Sequence, residues 1–261
     1  FNTEWRWDDN LVLSATCSPL DEIGARAQRG MLEATLAAWF DGTLVAGGAL
    51  DPFLRADGDT PAGIDAWAGS DIDLRWSHSA AERTAIDDFS GAGAPAVNLL
   101  GQPNSFSGFS RSLSCSGNGC DASFDDPHDA MLLSWDGGTP LADWELGGLD
   151  ASGAAVLSFR VVSRRSTLNA GLSEQGFLVR LVDAGGTVVE FPVGDVRRIP
   201  HLYPSNAQKE ILQTVRVPLA ELATRTPGFD RAALARLQLE MTVAGHTRGS
   251  VLVTDIELAG H

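Results

Sequence analysis

The stretch LQLEMTV, residues 237–243, decides the fold prediction, because apolar and polar residues alternate in it without interruption. Successive side chains of a β-strand point to opposite faces, so this pattern predicts a strand with one buried and one polar face. The same period recurs at 157–161 and at 177–181. Half-buried strands of this kind predict a mainly β chain, folded as an antiparallel β-sandwich.

Turn signals between the strand patterns fit the same architecture. Ala184-Gly185-Gly186 separates two such patterns and predicts a β-hairpin. Pro218 has no N–H to donate, so it suits an edge strand or the end of a strand in the pattern at 215–219. The apolar positions on either side of Asp255 are out of phase, which predicts a β-bulge there. Residues 101–128, which continue a stretch rich in Gly, Pro and Asn, are predicted to form a long loop.

Composition limits the classes of function. The chain has 261 residues, of which 44% are hydrophobic and 20% are charged, as in ordinary globular proteins. Its formal net charge of −15 would repel a phosphate backbone, so nucleic acid is excluded as a partner. No run approaches the roughly 18 consecutive apolar residues that a membrane span requires.

The N-terminal part has a different texture. Residues 18–41 are predicted to form a helix, with Ser18 as the N-cap, Pro19 in the first turn and Asp41-Gly42 at the end. The helix is rich in apolar side chains, and the rest of the chain predicts strands, so we expect its packing partner elsewhere. The predicted organisation is a helical segment at 1–45, a connecting segment at 46–70 and a β-sandwich domain at 71–261.

Cysteines indicate the compartment. Cys115 and Cys120 enclose Ser-Gly-Asn-Gly, a loop that is small and flexible enough for a local disulfide. Such a disulfide would indicate an oxidising compartment, so we expect a secreted or extracellular protein, with the periplasm as the alternative. Cys17 has no obvious partner in the chain. It is either a buried free thiol or one half of a disulfide to a cysteine outside this chain.

Acidic residues form a candidate calcium site. Asp87 and Asp88 belong to the first strand of the predicted sandwich, and Asp255 and Glu257 belong to its last. First and last strands are neighbours in many antiparallel sandwiches, so the four carboxylates can meet and offer Ca²⁺ hard oxygen ligands. The alternative is a solvated strand edge. A second acidic group lies beside the predicted disulfide and is a further candidate for binding Ca²⁺. It consists of Asp121, Asp125, Asp126 and Asp129.

Few side chains are candidates for ligand contact. His201 and Tyr203 lie in a predicted loop and are the candidates there. The tryptophans Trp76, Trp135 and Trp144 are of the residue type that stacks on sugar rings, but strand alternation predicts that they lie in the core. The Gly-x-Ser-x-Gly motif that presents a hydrolase nucleophile is absent from the sequence.

Several segments resemble a known family. Phe1-Asn2-Thr3-Glu4-Trp5 resembles the segment that follows the catalytic His in secreted bacterial serine α/β-hydrolases, and 21–40 resembles their last core helix. This resemblance implies that residues 1–45 are the C-terminal end of an α/β-hydrolase core. The segment 83–89 is similar to the entry into their C-terminal β-domains. The segments 213–219 and 249–258 are similar to late strands of those domains and of galactose-binding or carbohydrate-binding jelly rolls.

Two functions follow from these observations. The resemblance implies the C-terminal part of a secreted esterase-like or lipase-like hydrolase, whose Ser, acid and His lie in an N-terminal part missing from this chain. That partner would act on an ester, and the sandwich would shape the substrate entrance. No catalytic residue is then expected here. The alternative is a non-catalytic module that binds carbohydrate or another surface polymer. Neither function requires a cofactor, apart from the predicted Ca²⁺.

Overall fold

The structure is a computed structural model. It describes residues 83–115, 129–200, 212–241, 243 and 246–260, together with 32, 33, 36, 40 and 44. The chain divides into two units, Phe1–Ser77 and His78–His261. Within the described residues, no helix is long and apolar enough to cross a membrane.

Antiparallel strands dominate the second unit and form two large sheets. The strands are β1 Arg83–Asp87, β2 Asn104–Ser107, β3 Arg111–Cys115, β4 Ala130–Asp136, β5 Leu141–Leu149, β6 Val156–Ser163, β7 Glu174–Gln175, β8 Leu178–Asp183, β9 Val188–Pro192, β10 Ile199–Pro200, β11 Gln213–Pro218, β12 Leu234–Glu240 and β13 Arg248–Ala259. The six-stranded sheet has the order β11-β6-β13-β4-β3, with β1 paired to β13, and the five-stranded sheet has the order β2-β5-β12-β8-β9. The short strands β7 and β10 pair with each other.

One hydrophobic core joins the two large sheets. Trp135 and Phe159 of the six-stranded sheet belong to the same buried cluster as Trp144, Leu181 and Leu239 of the five-stranded sheet. The chain also crosses between the sheets repeatedly, because β4, β6 and β13 lie in one sheet and β5, β8 and β12 in the other. The prediction of a mainly β, antiparallel sandwich with jelly-roll-like connectivity is therefore confirmed.

Local details agree with the sequence pattern. β8 and β9 pair as a hairpin across the turn that was predicted at 184–186. Pro218 ends β11, as predicted. Asp255 has a positive φ of 49°, and the pairing of β13 with β6 shifts register between Thr254 and Glu257. This bulge brings Val253 and Ile256 to the same core although their spacing is odd.

Two local predictions are wrong. The stretch 101–128, predicted as a long loop, contains β2 and β3. Their Ser-rich sequence shows little apolar alternation, which is why the pattern did not predict strands. Backbone pairing to β5 and β4 holds them in the sheets. Leu219 was assigned to a strand but begins the helix α1, Leu219–Arg225, because Pro218 interrupts the strand and is the N-cap of the helix.

Little of the predicted helix at 18–41 lies among the described residues. Positions 32, 33, 36 and 40 are described, and all of them are helical, as is Leu44 beyond the predicted end. The side chains of Leu32, Leu36 and Phe40 are 59%, 46% and 50% exposed. The prediction that this helix belongs to a hydrolase core has no support from these residues.

Candidate functional site

The outer face of the five-stranded sheet is the candidate site. Val179 and Leu181 of β8 and Leu237 and Leu239 of β12 point into the core, so the residues between them point away from it. The strand register aligns five of the outward residues side by side, one from each strand. This polar row consists, in order across the sheet, of Ser105, Asp143, Gln238, Arg180 and Glu190.

Asp143 is the most buried member of the polar row. Its residue is 9% exposed, and Gln238 Nε2 donates a hydrogen bond of 3.0 Å to its Oδ2. Arg236 Nη1 lies 3.5 Å from the same oxygen. The other carboxylate oxygen, Oδ1, is buried and has no hydrogen-bond partner among the described residues. An unpaired buried oxygen raises the free energy of the folded state, and a hydroxyl or amide donor from a ligand would relieve it.

Arg180 lies between two carboxylates. Its Nε donates to Glu190 Oε2 at 2.7 Å, and its Nη1 donates to Glu240 Oε2. Partial burial lowers the pKa of Arg180, but the hydrogen bonds and charges of Glu190 and Glu240 outweigh this effect, so its pKa lies above the ordinary value. The guanidinium is thereby fixed in one orientation on the face.

The candidate calcium ligands have other partners. β1 and β13 are paired neighbours, as the calcium hypothesis required. However, Asp255 Oδ2 contacts Arg160 at 3.1 Å, and Glu257 Oε2 contacts Arg83 at 2.9 Å. Asp88 Oδ1 accepts hydrogen bonds from Ser90. Over the described ranges, no three acidic, histidine or cysteine side chains are grouped to hold a metal ion, so the calcium site remains a prediction without support.

Asp87 links the two sheets. Its Oδ2 accepts hydrogen bonds from Trp144 Nε1 at 3.1 Å and Asn104 Nδ2 at 2.7 Å, and its Oδ1 accepts one from the backbone of Phe89 at 2.9 Å. Burial raises the pKa of the Asp87 carboxyl, although these hydrogen bonds oppose the shift. Asp87 therefore fixes the packing of Trp144 rather than lying on an accessible face.

Other predicted site residues fall largely outside the described residues. This holds for His201, Tyr203, Cys17 and Cys120, so ligand contact by the first pair and disulfide formation by either cysteine remain predictions. Cys115 is buried at the end of β3. In the second acidic group, Asp129 is described; the residues that are not are Asp121, Asp125 and Asp126.

The tryptophans of the described sandwich lie in the core. Trp135 and Trp144 are both fully buried, which confirms the prediction from strand alternation. Phe106 packs edge-on against Trp144, with 5.7 Å between ring centroids. The outward residues of the five-stranded sheet are polar or aliphatic, so a ligand on this face would contact hydrogen-bonding groups rather than aromatic rings.

Sequence reasoning missed the polar row. Gln238, Glu240 and Arg180 were recognised as the polar halves of alternating strands, but nothing in the sequence indicated that they are neighbours of Asp143 and Ser105. The lateral register of the five strands creates that arrangement, and register depends on turns and core packing along the whole unit.

Comparisons with known proteins give weak structural similarity. No protein-family model matches the sequence, and no curated protein matches it significantly. Solved structures are similar to the fold at low identity. The family 30 carbohydrate-binding module of the cellulosomal cellulase Cel9D-Cel44B of Clostridium thermocellum has a TM-score of 0.42 and 15% identity, over 68% of this chain and 94% of that chain.

Two further structures show the same degree of similarity. The family 11 carbohydrate-binding module of the cellulase Lic26A-Cel5E of Clostridium thermocellum has a TM-score of 0.43 and 14% identity, over 69% of this chain and 95% of that chain. An exo-beta-agarase has a TM-score of 0.44 and 15% identity, over 68% of this chain and 25% of that chain. At these TM-scores, the similarity carries no argument about ligand or family, and the function has to be argued from the site.

Proposed function

We propose that this chain contains a polysaccharide-binding β-sandwich module and that the polar row on its five-stranded sheet contacts the polymer. The observation that carries the proposal is the in-register row in which Asp143, beside Gln238, has a carboxylate oxygen, Oδ1, without a hydrogen-bond partner in the described part of the chain. Carboxylate, amide and guanidinium groups are planar and offer paired donors or acceptors. Sugars present hydroxyl groups on adjacent carbons, which are both donors and acceptors, and planar groups can bind two of them at once.

The dimensions of the face suit a polymer. Strands are spaced about 4.8 Å apart, so a row across five strands is about 19 Å long, which spans several sugar rings. The row lies on the face of the sheet that points away from the core, and its end members, Ser105 and Glu190, are exposed. A row of this length matches the middle of a polymer chain and does not require a chain end.

The esterase-like hypothesis has no comparable observation in its favour. It assigned no catalytic residue to this chain, so the described residues offer nothing that supports it. The esterase-like hypothesis is tested separately, by labelling the purified protein with a serine-directed active-site probe. Since polysaccharides of cell walls lie outside the cell, the proposed function agrees with the predicted secretion, which is likewise a proposal.

The first experiment is a binding survey with the full chain. Depletion from solution by insoluble cellulose, chitin and β-1,3-glucan, and retardation in gels that contain soluble polysaccharides, would reveal binding. We expect saturable binding to at least one of these polymers. If none of them depletes or retards the protein at any concentration up to saturation of the matrix, the proposed function is wrong.

Substitution then assigns the face. Gln238→Ala removes the central member of the polar row, and we expect the affinity to fall about tenfold, which corresponds to about 1.4 kcal/mol. The matched control is Glu174→Ala, which removes a polar side chain from β7, outside the five-stranded sheet. Equal affinities of the two variants would show that the polymer binds another surface.

A further inference from the structure

The outer face of the five-stranded sheet, called the polar face below, carries two arginines on its described strands, Arg180 and Arg236. Each of them contacts a pair of carboxylates. Arg180 contacts Glu190 and Glu240, as described above, and Arg236 is arranged in the same way. Its Nη2 lies 2.9 Å from Glu145 Oε1, and its Nη1 lies 3.5 Å from Asp143 Oδ2. In the described strands of this sheet, the outer face thus combines four carboxylates with two guanidinium groups.

The pairing of each guanidinium with two carboxylates determines which polymers the outer face can accept. A guanidinium that already contacts two carboxylates offers no net positive charge to a third anion. A carboxylate or sulfate group on a sugar would have to lie beside the existing carboxylates and would be repelled by them. The net charge of −15 on the whole chain adds repulsion at longer range, especially at low salt.

Neutral hydroxyl groups are not subject to this repulsion. They can donate to the carboxylate oxygens of Glu190, whose side chain is 52% exposed. They can also donate to Asp143 Oδ1, which has no hydrogen-bond partner among the described residues, once neighbouring side chains move aside from it. Hydrogen bonds to charged acceptors are stronger than those between neutral groups. The carboxylates therefore disfavour anionic sugars and favour neutral ones at the same positions.

We propose that the polar face selects neutral polysaccharides and rejects those that carry carboxylate or sulfate groups. The inference rests on the proposed function, because it specifies the ligand of the same face. The arginines orient the carboxylates rather than bind an acidic sugar themselves.

The test compares polymers by gel retardation at about 10 mM salt, where the Debye length is about 30 Å and repulsion is strongest. The neutral probes are hydroxyethyl cellulose, mixed-linkage β-glucan and galactomannan, and the anionic probes are carboxymethyl cellulose, alginate and carrageenan. We expect retardation by at least one neutral polymer and by none of the anionic ones. Retardation by an anionic polymer as strong as by the neutral ones would overturn the selectivity but leave polysaccharide binding intact. Retardation by no polymer at all would overturn both.

A charge variant tests the role of Arg180 directly. Glu190→Gln with Glu240→Gln releases the guanidinium, and we expect affinity for carboxymethyl cellulose to rise about tenfold over the wild type. The matched control is Glu174→Gln with Glu221→Gln, which changes the net charge equally at carboxylates that contact Arg198 and Arg225. No gain in the first variant, or an equal gain in the control, would overturn the inference. Glu190→Gln alone, at a more exposed position, repeats the test should the double variant be unstable.

Discussion

The two sheets share one core but differ in their opposite faces. Behind the six-stranded sheet, a second buried cluster consists of Cys115, Ala130, Leu132, Val162, Leu212 and Leu252. The corresponding face of the five-stranded sheet carries the polar row, whose end members are exposed. The strands β4, β6 and β13 of the first sheet are therefore buried on both sides, whereas β8, β9 and β12 of the second alternate between buried and more exposed residues.

Polar side chains consequently have different roles in the two sheets. Asn169 is fully buried against the six-stranded sheet and exchanges hydrogen bonds with Ser250, accepting from its backbone N–H at 2.8 Å and donating to its carbonyl at 2.7 Å. It also donates to Arg164 O at 2.6 Å and to Ser163 Oγ at 3.1 Å. These hydrogen bonds satisfy the Asn169 amide within the protein, whereas Asp143 Oδ1 has no hydrogen-bond partner among the described residues. Asn169 therefore maintains structure, and Asp143 keeps an acceptor for a ligand under the proposed function. The contrast concerns these two side chains, because Thr214 Oγ1 of the six-stranded sheet is also buried without a partner in the described part of the chain.

The largest effect is expected from the shared core. Leu239→Ala removes a side chain that is 1% exposed, and we expect it to lower the free energy of unfolding by about 2–5 kcal/mol. Urea denaturation of the full chain, followed by tryptophan fluorescence, measures the loss. A loss below about 1 kcal/mol would contradict the common core, because truncation of a fully buried leucine leaves a cavity that lowers the free energy of unfolding by more than this.

The next effect concerns the hydrogen bonds behind the six-stranded sheet. We expect Asn169→Ala to lower the free energy of unfolding by about 2–4 kcal/mol, because several buried groups lose their partner at once. The control is Thr167→Ala, at an exposed position of the 3₁₀ turn Thr167–Asn169, to which Asn169 also belongs. It should change the free energy of unfolding by less than about 0.5 kcal/mol. Equal effects of the two variants would remove the contrast between the sheets.

Asp87 tests the link between the sheets and adds a dependence on pH. Asp87→Ala removes the acceptor of Trp144 Nε1 and of the Phe89 backbone N–H, while Asn104 Nδ2 keeps its hydrogen bond to Pro95 O, and we expect a loss of about 1–3 kcal/mol. Burial raises the folded-state pKa of Asp87 above 3.8, so the ionised carboxyl is the disfavoured form. The stability advantage of the wild type over the variant should therefore be greatest at low pH and shrink as the pH rises through the folded-state pKa. If the stability advantage of the wild type over Asp87→Ala instead grew with pH over this interval, the pKa of Asp87 would not be raised in the folded state.

The smallest effect on stability is expected on the polar row. Gln238→Ala should change the free energy of unfolding by less than about 0.5–1 kcal/mol, because the side chain lies on the outer face and loses a single hydrogen bond to Asp143. The same denaturation measurement, run beside Leu239→Ala, compares neighbouring residues on opposite faces of β12. A loss as large as that of Leu239→Ala would show that the polar row holds the fold together and would weaken its assignment to a ligand.

Much of the fold could be predicted from the sequence. Alternation placed β8 and β12, and the phase change around Asp255 located the bulge, because both are local properties of the chain. β2 and β3 were missed because their stability depends on pairing with β5 and β4, which distant residues supply. Local patterns contain no information about such partners.

The candidate site was much less predictable. The calcium hypothesis relied on β1 and β13 being neighbours, which was right, but adjacency of strands does not determine which way each side chain points. Arg160 and Arg83, which neutralise Asp255 and Glu257, come from other parts of the sequence and could not be anticipated. The polar row likewise depends on the register of separate strands, and register is a property of the folded unit.

The most direct test of the central claim is a nuclear magnetic resonance titration of the full chain with an oligosaccharide of the polymer that binds best. We expect backbone and side-chain signals of Asp143, Arg180 and Gln238 to shift on titration, while those of Asn169 and of the six-stranded sheet stay unchanged. Shifts concentrated on the six-stranded sheet, with the signals of the polar row unmoved, would contradict it.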